Sequence, residues 1–163
     1  MNFVIDACSA ILLAKATLLE TVFETYDIQI TKQAYEEVAE GKKEMFADAL
    51  LIERLNREKK IRFTEANTAV VRKFMQDFNM GEGEAATIAA AVKEKKGAIT
   101  DNNQGRKAAQ ISNIGLAGSV EIVVDLFKKK RIGKEKAKGA LHALKREGWF
   151  DAHLIEKALE DVK

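Results

Sequence analysis

The stretch VIDACSAI, residues 4–11, ends a short apolar run on a single carboxylate, Asp6. Val4 and Ile5 are β-branched residues of the kind found in buried strands. The small residues after Asp6 favour the start of a helix, where an aspartate side chain accepts hydrogen bonds from the first turn. A charge at the end of a buried strand therefore has two explanations, a capping role or a functional site.

Composition favours one folded domain over residues 1–163. Hydrophobic residues make up 47% of the chain and charged residues of both signs 32%, which suits a packed core and argues against disorder. The single cysteine, Cys8, excludes an internal disulfide framework and suits a reducing compartment. No apolar run is close to the ~20 residues that span a bilayer, and no basic signal-peptide region is present. We therefore expect a cytoplasmic protein that does not enter the membrane.

Short apolar runs alternate with helical periodicity along the chain. This alternation predicts an α/β fold, with a mostly parallel sheet of short strands flanked by helices. Thr31 is expected to cap a helix that ends at Gly41, and a longer helix is expected from about Glu44 to Glu58. The chain from about residue 128 is predicted to be a helical tail. The strands are expected in NFVID, IQI, IRF, AIT and IGLAG.

A second aspartate, Asp101, ends the predicted strand GAIT and precedes another helix. The carboxyl ends of parallel strands share one edge of a sheet, which is where α/β proteins bind ligands. We therefore expect Asp6 and Asp101 to converge, and like charges brought together need a cation or a shared proton. Helix capping is the alternative for each aspartate.

Two glutamates on helices are candidates for the same site. Glu84 begins a stripe of predicted buried residues that continues through Ile88, Ala91 and Val92, whereas Glu82 is predicted to face water. For Glu84, the alternative is a first-turn interaction with the helix dipole, which contributes ~0.3–1 kcal/mol.

The second candidate, Glu37, borders the apolar side of its helix, which is marked by Ala34 and Val38. Its neighbour Glu36 faces further outward. A solvated helix face is the alternative explanation for Glu37.

Several buried carboxylates cost several kcal/mol per unpaired charge, and a divalent ion offsets that cost. The two histidines, His142 and His153, lie far along the chain, and one cysteine cannot form a zinc quartet. An all-oxygen cluster therefore suits Mg²⁺ or Mn²⁺.

Five motifs follow one another along the chain, namely VIDACSAILLAK, AYEEV, GEGEAATIAAA, AITDNNQGRKAA and GLAGS. In this order they resemble the PIN-domain family of metal-dependent ribonucleases, especially VapC-type toxins and related prokaryotic proteins. The resemblance covers roughly residues 2–127 and implies a three-layer α/β sandwich whose acidic residues bind Mg²⁺ or Mn²⁺ to cleave RNA.

The resemblance assigns catalytic roles to four carboxylates, and Asp6, Glu84 and Asp101 among them are the expected metal ligands. Glu36 is the alternative to Glu37 if the register of that helix differs by one residue. Many relatives have a second acid where this chain has Asn102, whose carbonyl oxygen can bind a metal or hold a water but adds no charge. The four carboxylates are Asp6, Glu37, Glu84 and Asp101.

Other residues near these motifs are candidates for supporting roles. Ser9 and Asn102 are expected beside the ligands. Arg106 and Lys107 are candidates for steering the scissile phosphate, with a solvated helix face as the alternative. Ser119, at the start of a late helix, is a candidate for phosphate binding, with a plain N-cap as the alternative.

The resemblance implies a metal-dependent ribonuclease that is the toxin of a toxin–antitoxin pair. An antitoxin that blocks the acidic site and a second copy of the chain in a homodimer are the implied protein partners. A PIN-like protein that binds metal or RNA with little cleavage is the main alternative, which Asn102 favours.

Two other α/β classes fit the sequence less well. A phosphoacceptor receiver domain needs a lysine at the end of a late strand, and IGLAGS offers none. A P-loop nucleotide-binding protein needs GxxxxGK, which is missing.

Overall fold

The computed structural model of the chain describes residues 1–44 and 46–163, and for residues 42 and 43 it describes the backbone alone. In this part of the chain, a five-stranded parallel sheet is flanked by helices, so the α/β prediction is confirmed. The strands are β1 (Asn2–Ile5), β2 (Asp27–Thr31), β3 (Arg62–Thr64), β4 (Gly97–Ile99) and β5 (Leu116–Ala117).

Helices connect every pair of consecutive strands, and three more follow the last strand. A 3-10 helix (Glu40–Glu44) lies between the third and fourth α-helices. The α-helices are α1 (Ala7–Lys15), α2 (Leu19–Thr25), α3 (Lys32–Ala39), α4 (Ala47–Arg57), α5 (Thr68–Phe78), α6 (Glu82–Glu94), α7 (Asn103–Ile111), α8 (Ser119–Lys128), α9 (Lys134–Glu147) and α10 (Ala152–Asp161).

The strand order β3-β2-β1-β4-β5 places β1 at the centre of the sheet. Ile5 of β1 is in register with Ile30 of β2 on one side and with Ile99 of β4 on the other. The order of the strands reverses at β1, and such a switch point leaves a crevice beyond the carboxyl ends of the strands. The residues that follow β1 and β4 therefore meet at the edge where ligands bind.

Alternate residues of β1 enter two separate hydrophobic clusters. Val4 packs with the alanine-rich α6 and with Ala98, whereas Phe3 and Ile5 pack with the helices on the other side. Leu141 of α9 is completely buried in the second cluster. The chain after residue 128 forms the helices α9 and α10, and α9 is part of the core. Among the described residues, no helix combines the length and the apolar character needed to cross a bilayer.

The helix boundaries between β2 and β3 differ from the prediction. Thr31 caps α3 by accepting a hydrogen bond from the Ala34 N–H at 3.2 Å, as expected. However, Gly41 lies inside the 3-10 helix, not at the end of α3. A Cβ at Gly41 would lie 2.9 Å from Cδ2 of Phe46, so this glycine admits the Phe46 ring.

The next helix also starts later than predicted. Phe46 is in an extended conformation, so α4 begins at Ala47 and not near Glu44, and Met45 lies outside the described residues.

Two glycines allow a matched test of how closely β4 packs against its neighbours in the sheet. A Cβ at Gly97 of β4 would lie 2.8 Å from Cδ1 of the buried Phe3 ring and 3.2 Å from the Gly115 carbonyl oxygen. Gly97→Ala is therefore expected to lower the free energy of unfolding by about 1–3 kcal/mol. Gly139→Ala on the open face of α9 is expected to raise it by about 0.5–1 kcal/mol. Urea unfolding measures both, and equal stabilities would contradict the close packing at Gly97.

Candidate active site

Asp6 caps α1 and is almost completely buried, with 1% of its surface exposed. Its N–H donates to the Ile99 carbonyl oxygen at 3.1 Å, and its Oδ1 accepts a hydrogen bond from the Ser9 N–H at 2.8 Å. Its other oxygen, Oδ2, is buried and accepts no hydrogen bond from any described residue. The capping explanation is correct for one oxygen, and the second oxygen is left with an unmet need for a partner.

Burial raises the pKa of Asp6 from 3.8 to about 6, and the nearby charge of Asp101 adds to the increase. Interactions with Thr100 and Ser9 act in the opposite direction and lower the pKa. The Thr100 hydroxyl has the larger of these two effects, and it is buried beside Asp6 without a well-formed hydrogen bond to the described residues. The fold therefore disfavours a bare negative charge on Asp6, and a proton or a cation at Oδ2 would compensate for it.

Asp101 lies beside Asp6 and is held by two serines. Its Oδ2 accepts hydrogen bonds from the hydroxyls of Ser9, at 2.8 Å, and of Ser119. Its Oδ1 accepts a hydrogen bond from the Ser119 N–H at 2.8 Å. Ser9 contacts both aspartates, so the ends of β1 and β4 are joined through one residue of α1.

Glu37 and Glu84 form a second pair of carboxylates, at the start of α6. A Cβ at Gly83 would lie 2.1 Å from Oε1 of Glu37, so the carboxylate of α3 lies directly against the first turn of α6. Burial raises the pKa of Glu84, and the charge of Glu37 adds to this increase. Burial also raises the pKa of Glu37, although the Gly83 N–H counteracts it.

The charges of both pairs of carboxylates affect the pKa of Cys8. Solvent reaches this residue, yet loss of hydration around its thiol raises the pKa to about 11. The charges of all four predicted carboxylates add to that increase, which shows that their fields meet at the start of α1. These carboxylates are Asp6, Asp101, Glu84 and Glu37.

The two pairs do not form a preassembled metal cage. Among the described side chains, no group of three or more His, Cys, Asp or Glu residues is placed to hold a metal ion. The assignment of Asp6, Glu84 and Asp101 as metal ligands therefore stays a prediction. Two observations fit a hard divalent cation, namely the carboxylate donor set and the buried oxygen of Asp6 that lacks a partner.

Two of the expected supporting residues already have hydrogen-bond partners within the chain. The side-chain oxygen of Asn102 accepts a hydrogen bond from the Gln104 N–H at 2.8 Å, so it caps α7 directly after Asp101. Ser119 is fully buried, and both its N–H and its hydroxyl donate to Asp101. The roles of Asn102 beside the metal ligands and of Ser119 in phosphate binding stay predictions.

The two cationic candidates differ in their surroundings. Arg106 donates to Oε1 of Glu121 at 3.1 Å and to the Thr100 carbonyl oxygen at 3.3 Å, which fixes it at the rim of the site. Lys107 is exposed and makes no ion pair within the described chain. A role for either residue in phosphate binding stays a prediction.

The orientations of α3 and α6 decide between Glu36 and Glu37 and correct the predicted buried stripe on α6. Glu36 pairs with Lys32 at 3.8 Å on the surface, so Glu37 is the glutamate of α3 that faces α6. The predicted buried stripe on α6 fails at Val92, which is 38% exposed. Most of α6 is buried because its alanines pack closely on several sides, so burial there is not confined to one stripe.

Sequence reasoning missed two residues that shape the site. Gly83 permits the approach of Glu37, and Thr100 lies beside Asp6. The glycine pair in GEG was a usable signal, since glycine in a helix often marks a close approach. Thr100 gave no signal apart from its position at the end of a strand.

The described chain combines a parallel sheet with four carboxylates close to the point where the strand order reverses. In a comparison with protein families, residues 2–163 match the family described as a PIN domain. The chain therefore belongs to the PIN-domain family, whose members are generally nucleases, and the resemblance drawn from the motifs is confirmed. Comparisons with curated proteins and with solved structures gave no match.

The raised pKa of Asp6 predicts a pH-dependent gain in stability on substitution. Below the pKa of 3.8 that Asp6 has in the unfolded chain, the side chain is protonated and its burial costs no folding stability. Above about pH 6 the side chain is charged in the folded chain, and the loss of stability is complete. Asp6→Asn is therefore expected to raise the free energy of unfolding by about 1–3 kcal/mol at pH 8 in EDTA. At pH 4 this gain should be nearly absent. Urea unfolding at the two pH values measures it.

The matched control for this test is Asp151→Asn. Asp151 is an exposed N-cap that accepts a hydrogen bond from the His153 N–H at 2.7 Å, so asparagine should replace it with little change at either pH. A loss of stability in Asp6→Asn at pH 8 would show that burial does not penalise this carboxylate.

The contact between Gly83 and Glu37 predicts a coupling between the two positions. Gly83→Ala in the native chain should displace the Glu37 carboxylate, so the usual helical gain of about 0.5–1 kcal/mol should be lost. In a Glu37→Ala background the same change should be stabilising, because the clash is gone. A double-mutant cycle from urea unfolding is expected to give a coupling of about 0.5–1 kcal/mol. Additive effects would place Glu37 away from α6.

Proposed function

We propose that this protein is a metal-dependent ribonuclease that hydrolyses phosphodiester bonds of RNA. The observation that carries the proposal is the buried, unpartnered Oδ2 of Asp6 in a region where four carboxylate fields meet. The PIN-domain family supplies the nuclease context. A buried carboxylate oxygen without a partner is costly, and a divalent cation is the partner that suits this donor set.

We assign the roles of the residues as follows. Asp6, Glu84 and Asp101 would hold Mg²⁺ or Mn²⁺, and Glu37 would support Glu84 from the facing helix. A divalent ion supplies activation of a water molecule and polarisation of a phosphoryl oxygen.

The remaining roles are in orientation and charge. Ser9 orients both aspartates through its N–H and its hydroxyl. Arg106, at the rim, places a positive charge where the backbone of RNA would approach.

We also propose that the chain acts as the toxin of a toxin–antitoxin pair. An antitoxin could block the acidic site by inserting a basic side chain among the carboxylates, which gives electrostatic complementarity. A homodimer of this chain is the second proposed assembly. The direct check is to search the neighbouring genes for a small DNA-binding protein, to co-express it with this chain, and to test for a complex that does not cleave RNA.

A second candidate function is binding of metal or RNA with little cleavage. Asn102 favours it, because its side-chain oxygen caps α7 and brings no negative charge to the site. Binding of Mn²⁺ and RNA without product, across several RNA sequences, would support this second candidate.

The test of the nuclease proposal is hydrolysis of end-labelled single-stranded RNA with Mg²⁺ or Mn²⁺. Asp6→Asn and Asp101→Asn are each expected to reduce the cleavage rate by at least about 100-fold, since loss of a group that only supports a metal ligand costs 10–100-fold. EDTA should abolish cleavage, and Asp151→Asn should leave it unchanged. Cleavage that persists in EDTA and in both variants would exclude the proposal.

A further inference from the structure

We propose that Ser119 is a positioning residue that fixes the Asp101 carboxylate for metal binding, an inference that rests on the proposed metal-dependent function. Ser119 is fully buried at the start of α8. Its N–H donates to Oδ1 of Asp101 at 2.8 Å and its hydroxyl donates to Oδ2 of the same carboxylate. One residue therefore determines the orientation of both oxygens.

The contact is not that of an ordinary N-cap. A capping serine accepts a hydrogen bond from an N–H of its own helix, whereas the Ser119 hydroxyl donates to a carboxylate 18 residues earlier in the chain. Gly118 occupies the N-cap position of α8 instead. The Ser119 hydroxyl is thus not needed as a cap and donates to Oδ2 of Asp101, while the backbone N–H of Ser119 donates to Oδ1.

The turn that carries Ser119 is itself held in place. The Gly118 N–H donates to Oε2 of Glu121 at 3.1 Å, and Arg106 bonds to the other oxygen of Glu121 at 3.1 Å. A Cβ at Gly118 would lie 2.7 Å from Oδ1 of Asp101, so the backbone passes directly beside the carboxylate. The ion pair and the glycine together bring the Ser119 donors within reach of Asp101.

Hydrogen bonds to a ligating carboxylate set its orientation, and their loss typically weakens metal binding 10–100-fold. Ser9 also donates to Oδ2 of Asp101, and its hydrogen bond remains when Ser119 is changed. The Ser119 N–H remains as well in a side-chain variant. The expected effect of removing the hydroxyl is therefore at the lower end of that range.

The test is to measure Mn²⁺ binding to the full chain directly. Electron paramagnetic resonance reports the concentration of the free ion. Ser119→Ala is expected to raise the Kd for Mn²⁺ about tenfold, and Ser119→Thr, which keeps the hydroxyl, should restore binding to within about threefold of the native chain. Ser112→Ala is the matched control, since the Ser112 hydroxyl makes no hydrogen bond to the described residues. Thermal melting in EDTA checks that each variant is folded.

The outcomes separate the two proposals. If the native chain binds Mn²⁺ and Ser119→Ala binds it equally well, the positioning role is wrong while the metal site stands. The positioning role is also wrong if Ser119→Ala melts at a lower temperature with an unchanged Kd. If the native chain binds no Mn²⁺, the proposed function and this inference both fail. If Ser119→Ala does not fold, Gly118→Ala takes its place, because its Cβ would lie 2.7 Å from Oδ1 of Asp101. A raised Kd for Mn²⁺ in that variant supports the positioning role, and an unchanged Kd contradicts it.

Discussion

The hydrogen bond from the Asp6 N–H to the Ile99 carbonyl oxygen joins the ends of the two central strands, and the geometry of the site depends on it. The chain leaves β1 and β4 at this point towards different helices, so the edge of the sheet opens where the strand order reverses. Asp6 is thereby buried at the base of the opening, with Asp101 beside it. Two residues remote in sequence become neighbours because parallel pairing fixes the register of their strands.

The site shows how a fold can tolerate several carboxylates in one place. Donors supplied by Ser9 and Ser119 occupy both oxygens of Asp101, and the first turn of α6 lies against Glu37. These dipoles replace part of the hydration that the charges lose on burial. Asp6 is the exception, because one of its oxygens has no such donor in the described structure. Chemistry at this edge is therefore best sought at that oxygen.

The sequence predicts the framework well and the orientation of side chains poorly. β-branched runs followed by aspartate located the ends of β1 and β4, and Thr31 was recognised as a cap because threonine before a helix has one common role. The start of α4 was missed because Phe46 is extended and packs against Gly41, five residues earlier, and helical periodicity does not reveal that local turn. The role of Asn102 as a cap, and of Ser119 as a partner of Asp101, depends on which way a short side chain turns. Periodicity carries no information about that choice.

The position of Cys8 among the carboxylates has a consequence for the chemistry of its sulfur. The thiolate is the form that reacts with oxidants and electrophiles, and a pKa of about 11 keeps the thiol protonated at neutral pH. The accessible Cys8 beside the carboxylates is thus protected mainly by the loss of hydration around its thiol, and the negative field that would attract a cation adds to that protection. Oxidative stress should leave Cys8 reduced, and thiol-directed reagents should label it slowly at neutral pH.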